Sequence, residues 1–424
     1  MYITKKIFED CIIQKNYSKY LFRFGILLLP SASIISALLI LISIAKPIQK
    51  NFHKFFVDKW NVGFLISIPL LFLSCFVQYI DPNNINGISS SILGLFNWIP
   101  YFFCFIGFQH YLSSKEDRAL ISTLLIVGTI PVIFSGFTQY FFNWYGPFET
   151  LNGLIIWYQR KGTGFTGLFN NTNYLACWLS VVLPLTISQY VTYKKVFFKS
   201  CFLFYFTIII SISIILTQSI DSIFAFLIIF LIFFFNNIVI NKFVIIITSS
   251  FLIFMSNTFL INYLKSIILS FFKILNFDLI YTKLLIRLNI FSQGLDLISK
   301  KPIFGYGPGN FSSKLNELLP ELSFNINHSH NLFHELALNY GIIACLLIAI
   351  PIILLFYKSY LKILNLGISQ YKFSNDILSL QDKSWFVAFF IILISQMVDI
   401  QYYDVRISLL FWLLLAGLRE IIKE

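Results

Sequence analysis

Apolar stretches of about 20 residues recur along most of this chain, separated by short polar segments. Since a helix needs about that length to cross the hydrocarbon core of a bilayer, the pattern predicts an all-α polytopic membrane protein. The predicted spans share this length and apolar character: residues 18–45, 62–80, 92–111, 120–141, 174–193, 200–217, 221–238, 243–261, 331–357, 385–399 and 404–420.

The first predicted span is longer than a single crossing requires. Pro30-Ser31-Ala32-Ser33 interrupts it, which allows either one long helix or a hairpin of two short helices. Basic residues flank it on both sides, so the positive-inside rule places both flanks in the cytoplasm and favours the hairpin. We therefore expect about 12 helices with both termini cytoplasmic. The leader lacks a small-residue cleavage site, which indicates a retained span rather than a signal peptide.

This arrangement leaves two longer segments on the outer side, residues 142–173 and 262–330. The predicted organisation is an N-terminal transmembrane region over residues 1–261, a large periplasmic loop over 262–330 and a C-terminal transmembrane region over 331–424. Any extracytoplasmic site should be built mainly from the two outer segments.

Composition agrees with a membrane protein and excludes a nucleic-acid-binding domain. Hydrophobic residues make up 58% of the chain and charged residues only 12%, far from the values of soluble domains. The net charge of +12 is spread over many loops and forms no basic domain. The six cysteines lie mostly in apolar segments and predict neither a disulfide framework nor a zinc motif.

Three of the five histidines, His328, His330 and His334, fall where the outer segment meets the apolar run that begins at Asn331. Imidazole has an ordinary pKa of about 6.5, so it can transfer protons near neutral pH, and its placement suggests chemistry at the lipid–water boundary. Two alternatives stay open: a zinc site that uses the spacing of His330 and His334, and a structural role for His330 as a polar helix cap.

Three of the six arginines, Arg160, Arg287 and Arg406, are placed on the outer side. A guanidinium group offers a planar fork of donors that matches phosphate oxygens, so a phosphate-bearing ligand would suit them. Alternatively, they extend to lipid headgroups or pair with acids, and Asp399 or Asp404 would be such a partner for Arg406. Arg287 lies on a predicted amphipathic helix whose apolar stripe consists of Leu284, Leu288, Phe291, Leu295 and Ile298.

Two further patterns are typical of anion binding. Asn170, Asn171 and Asn173 precede a span expected to start at Tyr174, where they would cap the helix and expose its positive end. The alternating glycines of residues 305–309 could form a nest of backbone N–H groups, although a structural turn explains them equally well.

The order of these pieces resembles the O-antigen ligase and O-antigen polymerase superfamily. The matching motifs run in sequence: the segment Arg160 to Asn173, then Arg287, Phe291, Pro302, Gly305-x-Gly307, His330-Asn331 and Gly341. The chain departs from the family pattern where Thr172 replaces the usual proline and Phe291 the usual tryptophan. The motifs cover about residues 150 to 350.

The resemblance implies a metal-independent, inverting membrane glycosyltransferase of the GT-C type without a cofactor. Its site would face the periplasm in the bacterial inner membrane. It would move a glycan from an undecaprenyl-diphosphate carrier to a glycan or lipid-linked acceptor, as in lipopolysaccharide and other cell-envelope polysaccharides. The implied catalytic residues are His330, Arg287 and Arg160. The implied substrate-binding residues are Lys161, Asn173, His328, Asn331 and Arg406.

A different class of function competes with this one. Some cyanobacterial relatives with this loop pattern are called bicarbonate transporters, and the segment Asp399 to Trp412 looks similar to theirs. A secondary transporter is expected to show repeats with paired broken helices, and the sequence shows no repeat. The choice between ligase and polymerase stays open.

Overall fold

The computed structural model describes residues 16–50, 52–80, 87–162, 164–219, 277–311, 314–315, 328–368 and 377–424. The expected spans 221–238 and 243–261, and much of the outer segment 262–330, lie outside the described residues. The described helices are, in order, α1 Tyr17–Leu28, α2 Ser33–Lys50, α3 Phe52–Val57, α4 Val62–Ile80, α5 Gly87–Phe96, α6 Ile99–Gln109, α7 Lys115–Phe142, α8 Thr172–Thr192, α9 Phe197–Leu216, α10 Phe277–Lys300, α11 Leu332–Tyr340, α12 Ile342–Ile368, α13 Ile377–Val398 and α14 Val405–Lys423. Strands β1 Phe148–Thr150 and β2 Ile155–Trp157 form one antiparallel hairpin.

Seven helical segments among the described residues are long and apolar enough to cross a membrane: Ser33–Lys50, Lys59–Val77, Ile92–Gln109, Lys115–Phe142, Thr172–Thr192, Phe197–Leu216 and Ile342–Ile363. The all-α membrane class follows from these segments. The total of twelve helices stays a prediction.

The first predicted span consists of two helices, α1 and α2, so the hairpin interpretation is confirmed. The helices pack closely at Gly25, where an added Cβ would lie 2.8 Å from Ile40 Cγ1. Ser36 Oγ donates to the carbonyl oxygen of Gly25 at 2.7 Å. Small residues of this kind allow two helices to approach within a bilayer.

The expected span 331–357 differs from the structure, because Gly341 divides it into α11 and α12. Gly341 has a φ of +87°, and an added Cβ would lie 2.0 Å from the carbonyl oxygen of Ile303. The backbone of the 302–307 turn therefore passes directly against the helix break.

Three tryptophans without measurable exposure fill the centre of the bundle, and each indole N–H has a partner. The acceptors are the hydroxyl oxygens of Thr129 for Trp178, of Ser122 for Trp385 and of Tyr402 for Trp412. Large aromatic residues with satisfied N–H groups stabilise such a core because they bury much apolar surface and leave no donor unpaired.

The two ends of the bundle carry different polar groups. At one end, Arg118 is fully buried between Asp382 and the side chain of Glu424, at 3.0 and 3.1 Å. The opposite end holds Asp399 and Arg406. Helix α14 joins the ends, since Arg406 lies in its first turn and its 19 residues rise about 28 Å.

Candidate active site

Asp399 is the residue on which three segments of the chain converge. It directly follows α13 and is buried. One of its carboxylate oxygens accepts a hydrogen bond from Asn173 Nδ2 at 2.7 Å, and the other lies 2.8 Å from His330 Nδ1. Asn173 is in the first turn of α8, and His330 immediately precedes the N-cap of α11. Asn173 and Asp399, 226 positions apart, thus meet beside His330.

The charge state of Asp399 determines the tautomer of His330. Burial alone raises the pKa of Asp399, but the hydrogen bond and charge of His330, together with the donation from Asn173, hold that pKa below its usual value. Asp399 is therefore ionised and acts as the acceptor, so His330 Nδ1 carries the proton. In the neutral form of the ring, Nε2 then holds the lone pair that a general base needs, and among the described residues the ring's hydrogen bond is made by Nδ1. Once Nε2 is protonated, the imidazolium forms an ion pair with Asp399.

His330 is held in an unusual backbone conformation. Its φ of +57° lies in the left-handed region, which residues with a side chain rarely adopt. From α11, Glu335 Oε2 accepts the N–H of Ser329 at 2.7 Å. From α13, the carbonyl oxygen of Met397 accepts Asn331 Nδ2 at 3.2 Å. These two bonds fix the turn on both sides of His330.

Glu335 is almost completely buried, with 4% of its surface exposed. Burial raises the pKa of its carboxyl group, and this effect exceeds the opposing effects of the hydrogen bonds from Ser329 and Asn339 and of the charge of His330. A carboxyl group is costly to bury without such partners. The buried carboxyl group of Glu335 and the turn at Ser329 therefore stabilise each other through their hydrogen bond.

His328 lies directly beside His330, with ring centroids 4.8 Å apart and nearly perpendicular planes. Burial lowers the pKa of His328, and the protonated form of His330 and the charge of Arg287 lower it further, against the opposing effects of Asp399 and of a backbone hydrogen bond. Arg287 on α10 thus lies within electrostatic range of the histidines. Among the residues singled out from the sequence, the structure therefore brings Asn173, His328 and Asn331 together with His330, and Asn173 comes from a separate helix.

His334 contributes to packing and lies apart from this group. Its ring stacks on Phe291 of α10 with centroids 4.6 Å apart, and it contacts Gly294. Burial lowers the pKa of His334 to about 4, so the ring is neutral at physiological pH.

The pairing of His330 with His334 considered for zinc is therefore not formed. A different group among the described residues could hold a metal ion, namely His328, His330 and Asp399, whose ligand atoms lie within 4.8 Å of one another. In this structure, two of those three residues already bind each other through the His330–Asp399 hydrogen bond.

Three helices begin at this end of the bundle, and each has a side-chain cap. The caps are Asn171 on α8, Asn331 on α11 and Asp404 on α14. The predicted asparagine cap of α8 is confirmed at Asn171, although the helix starts at Thr172 rather than at Tyr174. The cap of α11 is Asn331, so the alternative that made His330 the cap is wrong. Helix N-termini carry partial positive charge, so their convergence favours an anionic ligand.

Arg406 pairs with Asp404 rather than with Asp399. Its Nε donates to Asp404 Oδ1 at 2.8 Å, and one terminal nitrogen donates to the carbonyl oxygen of Leu168 at 3.1 Å. The guanidinium group also lies 3.9 Å over the ring of Phe169. These contacts fix the segment 168–173 against α14, and they engage donors that a substrate would otherwise use.

Arg160 precedes the segment 168–173 in the sequence. Its carbonyl oxygen accepts Gln139 Nε2 at 2.7 Å, and its N–H donates to Thr166 Oγ1 at 3.1 Å. The guanidinium is exposed and lies 5.8 Å over the ring of Tyr158. Lys161 follows on an exposed bend. The backbone of Arg160 is thus fixed while its charge stays accessible.

The glycine turn at residues 305–307 is structural in this fold. The N–H groups of Tyr306 and Gly307 donate to the carbonyl oxygens of Leu338 and Asn339 at 2.7 and 2.9 Å. Because these donors are engaged with the end of α11, they cannot form the anion-binding nest considered from the sequence.

Two residues of the site escaped sequence reasoning in their actual roles. The sequence presents Asp399 as a partner for Arg406, and its position at the end of a span is the signal that it offers. Glu335 gave a weaker signal, since an acidic residue in the first turn of a helix is common on a surface. The hydrogen bonds of Asp399 with His330 and of Glu335 with Ser329 become visible only in the tertiary structure.

Comparison with protein-family models finds one match, which covers part of the candidate site. Residues 205–349 match the model described as O-antigen ligase. This match supports assignment of the chain to the O-antigen ligase and polymerase superfamily, as its motif order predicts. It includes Arg287, the glycine turn and His328 to Asn331. The search of curated proteins finds no match. The family match gives the bicarbonate-transporter alternative no support.

Proposed function

We propose that this protein is a membrane glycosyltransferase that moves a glycan from an undecaprenyl-diphosphate carrier to a hydroxyl group of an acceptor sugar. Support comes from the O-antigen ligase match and from His330, whose Nδ1 is bound to Asp399 at 2.8 Å beside Asn173 and His328. The His330–Asp399 pair carries the proposal, because it leaves Nε2 as a base at a cluster of helix N-termini.

In this mechanism, the acceptor hydroxyl gives its proton to His330 Nε2 as its oxygen attacks the anomeric carbon of the donor. The bond between that carbon and the diphosphate oxygen breaks, and undecaprenyl diphosphate leaves with the electron pair. Attack opposite the leaving group inverts the anomeric centre. Asp399 stabilises the imidazolium that forms, as a carboxylate does for a catalytic histidine.

The leaving diphosphate gains negative charge in the transition state. Arg287, within electrostatic range of the histidines, and Arg160, whose guanidinium is exposed, are assigned to offset that charge without a metal ion. His328, Asn331, Asn173 and Lys161 are assigned to the site as supporting groups. Arg406 is assigned to hold the segment 168–173, since its donors bind Asp404 and Leu168.

In the cell, the site would face the periplasm from the inner membrane, with both termini cytoplasmic. The ion pairs of Arg118 with Asp382 and Glu424 would then lie on the cytoplasmic side.

The test is transfer of a glycan from a purified undecaprenyl-diphosphate donor by the protein in nanodiscs. We expect His330→Ala and Arg287→Ala to abolish product while Phe198→Ala, an exposed apolar position on α9, keeps it. Full activity of either site variant at normal protein level would contradict the mechanism. In cells that lack the protein, loss of all long chains would indicate a ligase, and capping by single repeats a polymerase.

A further inference from the structure

Residues 143–157, which contain β1 and β2 and are called the leaflet hairpin here, expose large apolar side chains at their tip and stem. Leu151 at the tip is 63% exposed, and Trp144 at the stem is 58% exposed. Glu149 is the one charged residue in this stretch of sequence. An exposed apolar surface of this kind marks an interaction site.

The apolar surface of the hairpin continues the lipid-facing side of a candidate span. On α7, Phe134 and Phe141 are seven residues apart and therefore lie on one face of the helix, and both are exposed. Phe142, 78% exposed, ends that helix just before the hairpin begins. Tryptophan is typical of the boundary between lipid and water. This continuity favours the bilayer as the surface that the hairpin would contact.

The base of the hairpin is fixed to the bundle. Trp157 Nε1 donates to the carbonyl oxygen of Ser31 in the turn between α1 and α2 at 2.9 Å. Gln159 Nε2 donates to the carbonyl oxygen of Ser135 on α7 at 2.9 Å, and the N–H of Gly146 donates to the carbonyl oxygen of Gln159 at 3.1 Å. Because these hydrogen bonds fix the base of the hairpin, the position of the hairpin along the membrane normal also sets the position of the residues that follow it.

Arg160 is the next residue after Gln159, and its backbone N–H and carbonyl groups are both hydrogen-bonded. Strands of three residues extend about 10 Å, close to the depth at which amphipathic elements enter the headgroup and acyl boundary. A tip among the acyl chains therefore leaves Arg160 near the level of the phosphate groups.

We propose that the leaflet hairpin inserts its tip into the bilayer leaflet at the His330 end of the bundle and thereby holds Arg160 at the depth of lipid phosphates. The occupant of this surface is lipid. The second part of the inference rests on the proposed function, because it makes the hairpin a depth-setting element for recognition of a lipid-linked diphosphate.

Depth is measured with a fluorescent label at Leu151→Cys, in a variant without other reactive cysteines, reconstituted in nanodiscs. We expect lipid carrying a spin label near its headgroup to quench the label, and aqueous iodide to have little effect. A label at Phe134→Cys serves as the control for a lipid-facing position. A label at Lys195→Cys, in an exposed turn, serves as the control for a position in water. Iodide quenching equal to that of the Lys195 label would place the hairpin in water or under a protein partner, and would overturn the inference.

The coupling to Arg160 is measured with the double variant Leu151→Asp/Leu154→Asp. We expect the KM for the lipid-linked donor to rise about tenfold with little change in kcat, since the chemical groups are untouched. Phe198→Asp, at an exposed site on α9, serves as the control and keeps the parental KM. An unchanged KM in the double variant would overturn the coupling. If the parent transfers no glycan, the proposed function fails, while the quenching experiment still decides where the hairpin lies.

Discussion

Gly294 and His334 are in contact so close that their helices leave no room for another carbon atom. A Cβ added at Gly294 would lie 2.0 Å from His334 Cε1. Because Arg287 lies two turns from Gly294 on α10, this contact sets the distance between Arg287 and the histidines.

Gly294→Ala should therefore force α10 away from α11. We expect a loss of about 1–3 kcal/mol of stability, as for overpacking generally, and a higher KM for the diphosphate donor. Thermal unfolding and donor titration measure the two effects. The double variant Gly294→Ala/His334→Ala removes the clash, so it should regain the donor affinity. Failure to regain it would show that the contact does not position Arg287.

Asp399→Asn keeps the shape of the side chain but removes the charge that selects the tautomer of His330. We expect kcat to fall about 10²- to 10⁴-fold, the range that general-base catalysis contributes, with a smaller change in KM. The matched control is Asp296→Asn, which changes an exposed aspartate that pairs with Lys300, and its kcat should equal that of the parent. A kcat within a few-fold of the parent would show that the charge of Asp399 is not needed for transfer.

His334 should make the fold sensitive to acid. Its pKa in the folded protein is about 4, below the usual 6.5, so the unfolded chain binds the extra proton first as the pH falls. The stability contributed by the neutral ring is complete above pH 6.5 and is lost between about 6.5 and 4, by about 3 kcal/mol in total. Unfolding curves at several pH values should show this loss in the parent, and His334→Leu should flatten it. An equal loss in that variant would assign the acid sensitivity to other groups.

Glu335 should act through its hydrogen bond to Ser329 more than through its charge. Glu335→Gln keeps an oxygen for the Ser329 N–H, and its amide can donate to Asn339 Oδ1, so we expect kcat within about threefold of the parent. Glu335→Ala frees the turn, and we expect kcat to fall at least tenfold, since misplacement of a catalytic group by about 1 Å can cost 10²-fold.

Hydrogen exchange at the Ser329 amide provides a readout that does not depend on activity. Exchange should speed up in Glu335→Ala and stay slow in Glu335→Gln. If the two variants lost activity equally while the amide stayed protected in Glu335→Gln, the charge of Glu335 would be the important property.

The sequence was sufficient for features that depend on local pattern. Seven of the described helical segments are long and apolar enough to cross a membrane, as apolar length predicts, and Pro30 with its basic flanks predicts the hairpin of α1 and α2. The helix that carries Arg287 was also predicted correctly, although Leu288 and Leu295 of its predicted apolar stripe are exposed. These properties depend on the bilayer or on helical periodicity, both of which act on neighbouring residues.

Features that depend on contacts between distant segments were not accessible in this way. Asp399 accepts from residues 226 and 69 positions away, and no pattern near Asp399 reports that. Likewise, the break at Gly341 reflects the close passage of Ile303, and the glycine turn is fixed by the end of α11. Where the local sequence offers a polar group more than one partner, as it offers Arg406 both Asp399 and Asp404, tertiary packing decides which partner is bound.

The start of α8 explains why one departure from the family pattern is tolerated. Asn171 caps the helix by accepting the N–H of Asn173, and Thr172 occupies its first position. The N–H at a first helical position has no partner within the helix, so proline and threonine both fit there. Thr172 therefore begins the helix at a position where a proline would also fit, and the capping hydrogen bond comes from the asparagine before it.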